Sequence, residues 1–198
     1  MVVFGITGGS GSGKTSVSKM LEKLGVHIID TDVIAHEIVE PNSDCLNELV
    51  DYFGDSILND DKTLNRKKLA SIAFSDKQKT EALSNITHKY IKAEVVKDIN
   101  TTDAELVGID GAVIIGSNVE PLCEFIVSVI ADKQSRITRI KTRDNITDEQ
   151  AIQRINAQND DEFYKENSMY IIYNNGEIAQ LESDVVGLFN KINGNSFE

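Results

Sequence analysis

Short apolar strands alternating with amphipathic helices predict an α/β protein, a parallel sheet packed between helices in three layers. Three observations carry this expectation. The chain opens on Val2-Val3-Phe4-Gly5-Ile6-Thr7, a β-branched run that is apolar on both faces, as a strand covered from both sides requires. A glycine-rich stretch and a helical pattern follow at once. Further apolar runs recur at 26–29, 105–110, 125–131 and 169–173, separated by helical periodicity.

The elements follow in order. The first helix carries Val17, Met20, Leu21 and Leu24 on one face, and Gly25 is a natural stop. The second strand, 26–29, runs into Asp30-Thr31-Asp32. A long helical block comes next. Leu46, Leu49, Val50 and Phe53 recur at helical spacing before Gly54, 67–74 reads as a short helix, and 77–99 reads as a long one with Leu83, Ile86, Tyr90 and Ile91 on a face. After the strands at 105–110 and 125–131, a helix spans about 134–143, and Thr147 with Gln150 is a capping-box signature that opens another. Asn174-Asn175-Gly176 is a turn between the last strand, 169–173, and a closing helix that carries Ile178, Leu181, Val185, Leu188 and Phe189. The all-helical block between the second and third strands predicts a lobe inserted into the sheet domain.

Composition narrows the function. A length of 198 residues suits one compact domain with an inserted lobe. With 32 acidic against 20 basic side chains, the formal net charge is -12, which opposes nonspecific binding to nucleic acid or anionic membranes. Anionic substrates therefore need a local basic site. Cys45 and Cys123 have neither disulfide-framework nor zinc spacing, and point to a reducing cytoplasm. His27, His36 and His88 show no metal spacing. No run approaches the ~18 apolar residues of a membrane span, and no basic leader precedes Val2, so neither a membrane helix nor a signal peptide is expected.

The stretch Gly8-Gly9-Ser10-Gly11-Ser12-Gly13-Lys14-Thr15 satisfies G-x-x-x-x-G-K-[ST], the P-loop. Glycines let successive backbone N–H groups approach phosphate oxygens, and the following helix adds its positive end. The spacing puts Lys14 on the β- and γ-phosphates of a nucleotide and the Thr15 hydroxyl on Mg²⁺. This pattern specifies nucleotide phosphates without separating kinase, ATPase and GTPase. No N-K-x-D motif for guanine is present.

Asp30 and Asp32 stand at the carboxyl end of the second strand, the edge where open α/β sheets bind ligands. They suit Mg²⁺ binding and removal of a proton from an attacking hydroxyl. Asp32 equally suits a helix N-cap before Val33-Ile34-Ala35. Asp110 ends the third apolar strand, a position for a second metal-organising acid or for an ordinary turn residue. Arg136, Arg139, Lys141, Arg143 and Arg154 gather positive charge in an acidic chain, either as a solvated helix face or as the cations phosphoryl transfer needs.

These motifs together resemble the dephospho-CoA kinase family, in order along nearly the whole chain. The stretch from Gly5 to Lys14 is similar to the family's G-L-T-G-G-I-G-S-G-K, and Ile29-Asp30-Thr31-Asp32-Val33-Ile34-Ala35 to its I-D-A-D-x-I-A, followed by Val39-Glu40-Pro41 for V-x-P. Thr63-Leu64-Asn65-Arg66 resembles T-L-N-R. Arg139 with Arg143-Asp144 resembles R-x-x-x-R-D, Arg154-Ile155-Asn156-Ala157-Gln158 resembles R-I-x-x-Q, and Asn174-Asn175-Gly176 the closing N-N-G.

The resemblance implies transfer of the γ-phosphoryl group of ATP to the ribose 3′-hydroxyl of dephospho-CoA, with Mg²⁺ as cofactor. It implies a P-loop core at 1–32, 104–136 and 168–198, a helical acceptor lobe at about 33–103 and a lid at about 137–167. Asp32 becomes the base and, with Thr15, a metal ligand. Lys14 and Arg139 stabilise the transferring group. Gly11, Ser12, Gly13, Lys14, Thr15, Ser16 and Arg143 hold the nucleotide, with Asn175 and Gly176 near adenine. His36, Leu64, Arg66, His88 and Asp110 join Asp32 on the acceptor. A cytoplasmic monomer or small homo-oligomer is expected. The chain departs from the family at His36, where Arg is usual, at Lys89, where Pro follows the histidine, and at 110–116, which lacks the Pro and Glu of D-V-P-L-L-F-E. The alternatives are a P-loop kinase of another small alcohol, such as a nucleoside or nucleotide, and an ATP-binding homologue weakened in catalysis.

Overall fold

The computed structural model describes residues 1–194. Contacts divide the chain into two compact units, Met1–Asp30 with Thr102–Glu198, and Thr31–Thr101.

The first unit is built on five parallel strands, β1 (Val2–Thr7), β2 (His27–Asp30), β3 (Leu106–Asp110), β4 (Phe125–Ile130) and β5 (Tyr170–Tyr173), in the order β2-β3-β1-β4-β5. Parallel neighbours need crossover connections, which is why helical segments separate them. β3 and β4 are buried at every position, as strands covered on two faces must be. On one face Phe4, Ile6, Phe125, Val127 and Val129 meet α1 (Lys14–Lys23) and α9 (Ile178–Gly194), whose Val17, Leu21, Leu181, Val185 and Leu188 complete one core. The register pairs Phe4 with Phe125, and their rings stack at 5.3 Å. On the other face α8 (Asp161–Glu166) packs on β4, and Gly5 faces Ile114, Cys123 and Ile126.

After β4, Asp132 caps α6 (Lys133–Asp144) by accepting from the Ser135 N–H at 2.9 Å. α6 pairs with α7 (Asp148–Asn156) through Ile137, Ile140, Ala151 and Ile155, a small separate core. The Thr147 and Gln150 capping box is formed as its spacing predicts.

The second unit holds α2 (Thr31–Glu37), α3 (Asp44–Phe53), α4 (Arg66–Ala73) and α5 (Lys77–Thr101). α5 touches the other three helices, and Ile34, Leu46, Leu49, Leu69, Ala73 and Ile86 are buried. Ser43 caps α3 and Asn65 caps α4. A one-turn 3₁₀ segment, Asp55–Ile57, and a bridge between Leu58 and Leu64 join them. Lys89 and the Tyr90 hydroxyl both donate to Glu48, tying α5 to α3.

Three local expectations need correction. β2 begins at His27, because the Val26 N–H is spent on Leu21 O, closing the end of α1. The run 169–173 enters the sheet only at Tyr170. Asp32 lies inside the first turn of α2 and is not its N-cap. The helix α8 is an addition to the sequence pattern, since six residues are too short for periodicity to reveal, and the helix left open after Asp32 is formed as α2.

Candidate active site

The glycine loop leaves the carboxyl end of β1 and enters α1 at Gly13, whose φ of 94° lies in the left-handed region. Glycine is required there twice over, since a Cβ would also sit 2.0 Å from Asn174 Nδ2. Asn174 is buried directly after β5 and donates to Ser12 O at 2.8 Å. Arg139 donates to Gly11 O at 3.2 Å, to Ser12 O at 3.1 Å and to Asn174 O at 2.8 Å. In a trans peptide the carbonyl and the next N–H point opposite ways. Holding Ser12 O against Asn174 and Arg139 therefore turns the Gly13 N–H to the other side of the loop. The buried Ser12 hydroxyl has no partner within the described residues, so this cradle retains an unspent polar group as well as backbone donors, which fits an oxygen-rich anionic ligand.

Lys14 forms an ion pair with Asp110, and the Ser18 hydroxyl donates to the other carboxylate oxygen at 2.6 Å. Asp110 is only 3% exposed, so burial makes this pairing obligatory in the absence of a competing anion. The register places Asp30 beside Asp110, and Asp110 beside Ile6, along the carboxyl edge of the sheet. Thr15 and Ser16 are exposed in the first turn of α1. These residues suit Mg²⁺ chemistry, since a threonine hydroxyl and carboxylates are hard oxygen donors.

The remaining expected residues fall into three groups. Arg143 makes a bidentate pair with Asp144, at 2.7 and 2.9 Å, and Arg154 pairs with the same carboxylate. Hydrogen bonds from Arg143 first, and from Arg154, hold the Asp144 carboxyl down at about 2. The triad locks α6 to α7. Asn175 accepts from the Asp132 N–H at 2.7 Å, joining the turn before α9, which contains Gly176, to the start of α6.

The third group lies in the second unit. Asp32 and His36 are exposed one turn apart on α2, where His36 Nδ1 donates to Asp32 O at 2.7 Å. Leu64, Arg66 and His88 line a cavity of about 300 Å³ with Ile38, Leu49 and Phe74. His36 does not line it. Asn65 and Thr63 of the same motif are structural. Asn65 caps α4, and Thr63 donates to Asp61, holding that carboxyl below its usual range.

Asn174, Arg136 and Gln158 were not expected at the loop. Asn174 and Gln158 belong to the motifs N-N-G and R-I-x-x-Q, and those motifs were the available signal. Arg136 stood in the basic cluster, but it is 5% exposed and donates to Ser10 O at 2.9 Å.

Comparison with known proteins accords with this geometry. The family model described as dephospho-CoA kinase matches residues 2–180. A dephospho-CoA kinase of Lactobacillus johnsonii is 34% identical over 191 residues, covering 95% of this chain and 96% of its own length. Among solved structures, a Thermus thermophilus protein superposes with a TM-score of 0.84 at 24% identity, covering 96% of this chain and 97% of its own. The dephospho-CoA kinase of Campylobacter jejuni gives a TM-score of 0.68 at 25% identity, with 96% of each chain covered. A glycine loop clamped from outside, a lysine beside the end of β3 and a family match over nearly the whole chain lead to one assignment: the chain belongs to the dephospho-CoA kinase family.

Proposed function

We propose that the protein transfers the γ-phosphoryl group of ATP to the ribose 3′-hydroxyl of dephospho-CoA, with the residues in the following roles. The observation that carries the proposal is Lys14, held on buried Asp110 at the mouth of a loop whose carbonyls face away from the ligand side. When ATP enters the loop, its phosphates compete with Asp110 for the lysine charge, and the loop N–H groups that are not bonded among the described residues, those of Gly11, Gly13, Lys14 and Thr15, take the phosphate oxygens.

Asp32 is the base. It is exposed and follows β2 at the carboxyl edge, where α/β sheets carry their reacting groups. The acceptor oxygen forms a bond to the γ-phosphorus as the bond from phosphorus to the bridging β-oxygen breaks. The hydroxyl proton passes to Asp32, and ADP leaves with the bridging oxygen. Thr15 and Asp32 are the proposed Mg²⁺ ligands, and bound metal neutralises charge developing on the phosphate oxygens. Arg139 brings positive charge to the loop itself, and Arg143 is the second cation, available if the nucleotide draws it from Asp144. Asn175 and Gly176 border adenine.

The unit Thr31–Thr101 serves as the acceptor lobe, and the cavity lined by Leu64, Arg66 and His88 takes part of the acceptor. Its apolar wall suits an aliphatic or aromatic portion, and Arg66 and His88 suit its phosphates. His36 and Asp110 complete the acceptor contacts. The core and the lid, 137–167, belong to the other unit. Cys45 and Cys123 are unbridged, which suits a reducing cytoplasm, and no helix among the described residues is long and apolar enough to cross a membrane.

Asp32→Asn tests the assignment of the base. It removes the proton acceptor while keeping shape, so turnover falls by about 10²-fold or more with MgADP affinity, measured by calorimetry, changing far less. Turnover at the wild-type rate removes Asp32 from the mechanism.

A further inference from the structure

We infer that Arg136 and Gln158 are positioning residues of the nucleotide site, which clamp Ser10 from outside the loop so that the Gly11 N–H is aimed at phosphate. Arg136 Nε donates to Ser10 O at 2.9 Å. Gln158 Oε1 accepts from the Ser10 N–H at 2.7 Å and from Arg136 Nη2 at 3.2 Å. The peptide groups on both sides of Ser10 are thus held by two side chains that also hold each other. Planarity then sets the next donor: with Ser10 O drawn to Arg136, the Gly11 N–H points away from Arg136. That N–H makes no hydrogen bond within the described residues.

The clamp explains the composition of the loop. A Cβ on Gly9 would lie 2.3 Å from Arg136 Nη2, and one on Gly11 would lie 2.7 Å from Arg136 O. Gly11 is glycine on two counts, a left-handed φ of 77° and the Arg136 backbone beside it, and Gly9 lies against the buried Arg136 guanidinium. The guanidinium is 5% exposed, and a buried cation persists only with its donors spent. Ser10 O, Gln158 Oε1 and, at 3.7 Å, Asp161 Oδ1 supply that compensation. Lysine cannot reproduce it, since one ammonium cannot span acceptors arranged for a planar fork. Arg139 and Asn174 perform the same task two peptide groups later, at Ser12 and Gly13. The loop is set from outside at two successive points.

This inference rests on the nucleotide half of the proposed function alone. It is therefore tested by MgADP binding to the full chain without acceptor, a readout that stands even if the acceptor assignment fails. Gln158 is half-buried and tolerates replacement better than Arg136. Gln158→Ala loses one hydrogen bond to the loop and one to Arg136, and MgADP Kd rises about tenfold, while the KM for acceptor is unchanged. Gln158→Glu keeps an acceptor oxygen for both donors and recovers most of the affinity. Arg136→Lys keeps the charge and loses the fork, so it weakens MgADP by a similar factor. Wild-type MgADP affinity in Gln158→Ala, or a Glu variant as weak as the Ala variant, overturns the role of Gln158. Wild-type affinity in Arg136→Lys overturns that of Arg136.

Discussion

Asp144 receives both Arg143 and Arg154, and its carboxyl is lowered from 3.8 to about 2 as a result. A carboxyl depressed on folding stabilises the native state while it is ionised. That contribution is complete above 3.8 and is lost as pH falls toward about 2. Asp144→Asn therefore lowers the urea midpoint at neutral pH, and the gap between variant and wild type closes as pH falls through the 3.8-to-2 window. A gap independent of pH in that window contradicts the triad. Residues of this kind differ in how far sequence exposes them. Gly8 to Thr15 is legible because its meaning is local, a strand, a loop and a helix in one short run. Arg136 is not, because its partner Ser10 lies 126 residues away. A basic residue within a basic helix reads as a solvated face until the fold buries it. Arg143 lies between these cases: its motif is visible, whereas its pairing with the adjacent Asp144 emerges only from the side-chain geometry.

At the scale of elements, strands and long helices follow from pattern. β1, β3 and β4 are apolar runs because both faces are covered, α9 carries a stripe of four buried apolar residues, and α5 is legible by its length and composition. α8 escapes because fewer than two turns give no period, whereas α2 is signalled only by the capping residue type at Asp32. β2 starts one residue late because Val26 spends its N–H on Leu21 O, whereas the Met169 N–H already reaches Ile126 O of β4, so the start of β5 differs from expectation only at the margin of the ladder. The helices of the second unit make the most exposed functional claim. Ala70 lines the cavity of about 300 Å³ from α4. Ala70→Phe occupies that space from within one helix. Dephospho-CoA KM is expected to rise about tenfold, the loss of roughly 1.4 kcal/mol of acceptor binding, while MgADP affinity holds. An unchanged KM for dephospho-CoA places the acceptor elsewhere.

The whole molecule carries a net charge of -12 yet must hold two anionic substrates. In the proposed mechanism it does so by concentrating cations at the glycine loop. Lys14, Arg136 and Arg139 all lie on or against the glycine loop, and the bulk of the acidic surface plays no part in that grip. The nucleotide half of the site is thus set by backbone geometry and by side chains distant in sequence. In the proposed mechanism the acceptor half depends on Asp32 and on the helical unit; His36 and Lys89 in that unit, and the stretch 110–116 in the other, depart from the family pattern. Lys89 here serves as a tie to Glu48, a role proline cannot fill within a continuous helix. The central claim is therefore tested most directly at the acceptor atom. ADP release is measured with dephospho-CoA and with its 3′-deoxy analogue, and the site of the new phosphate is located in the product. One phosphoryl group is expected on the ribose 3′-oxygen of dephospho-CoA, with no transfer to the analogue. Transfer to the 3′-deoxy analogue at a comparable rate, or a phosphate found on any other oxygen, contradicts that claim.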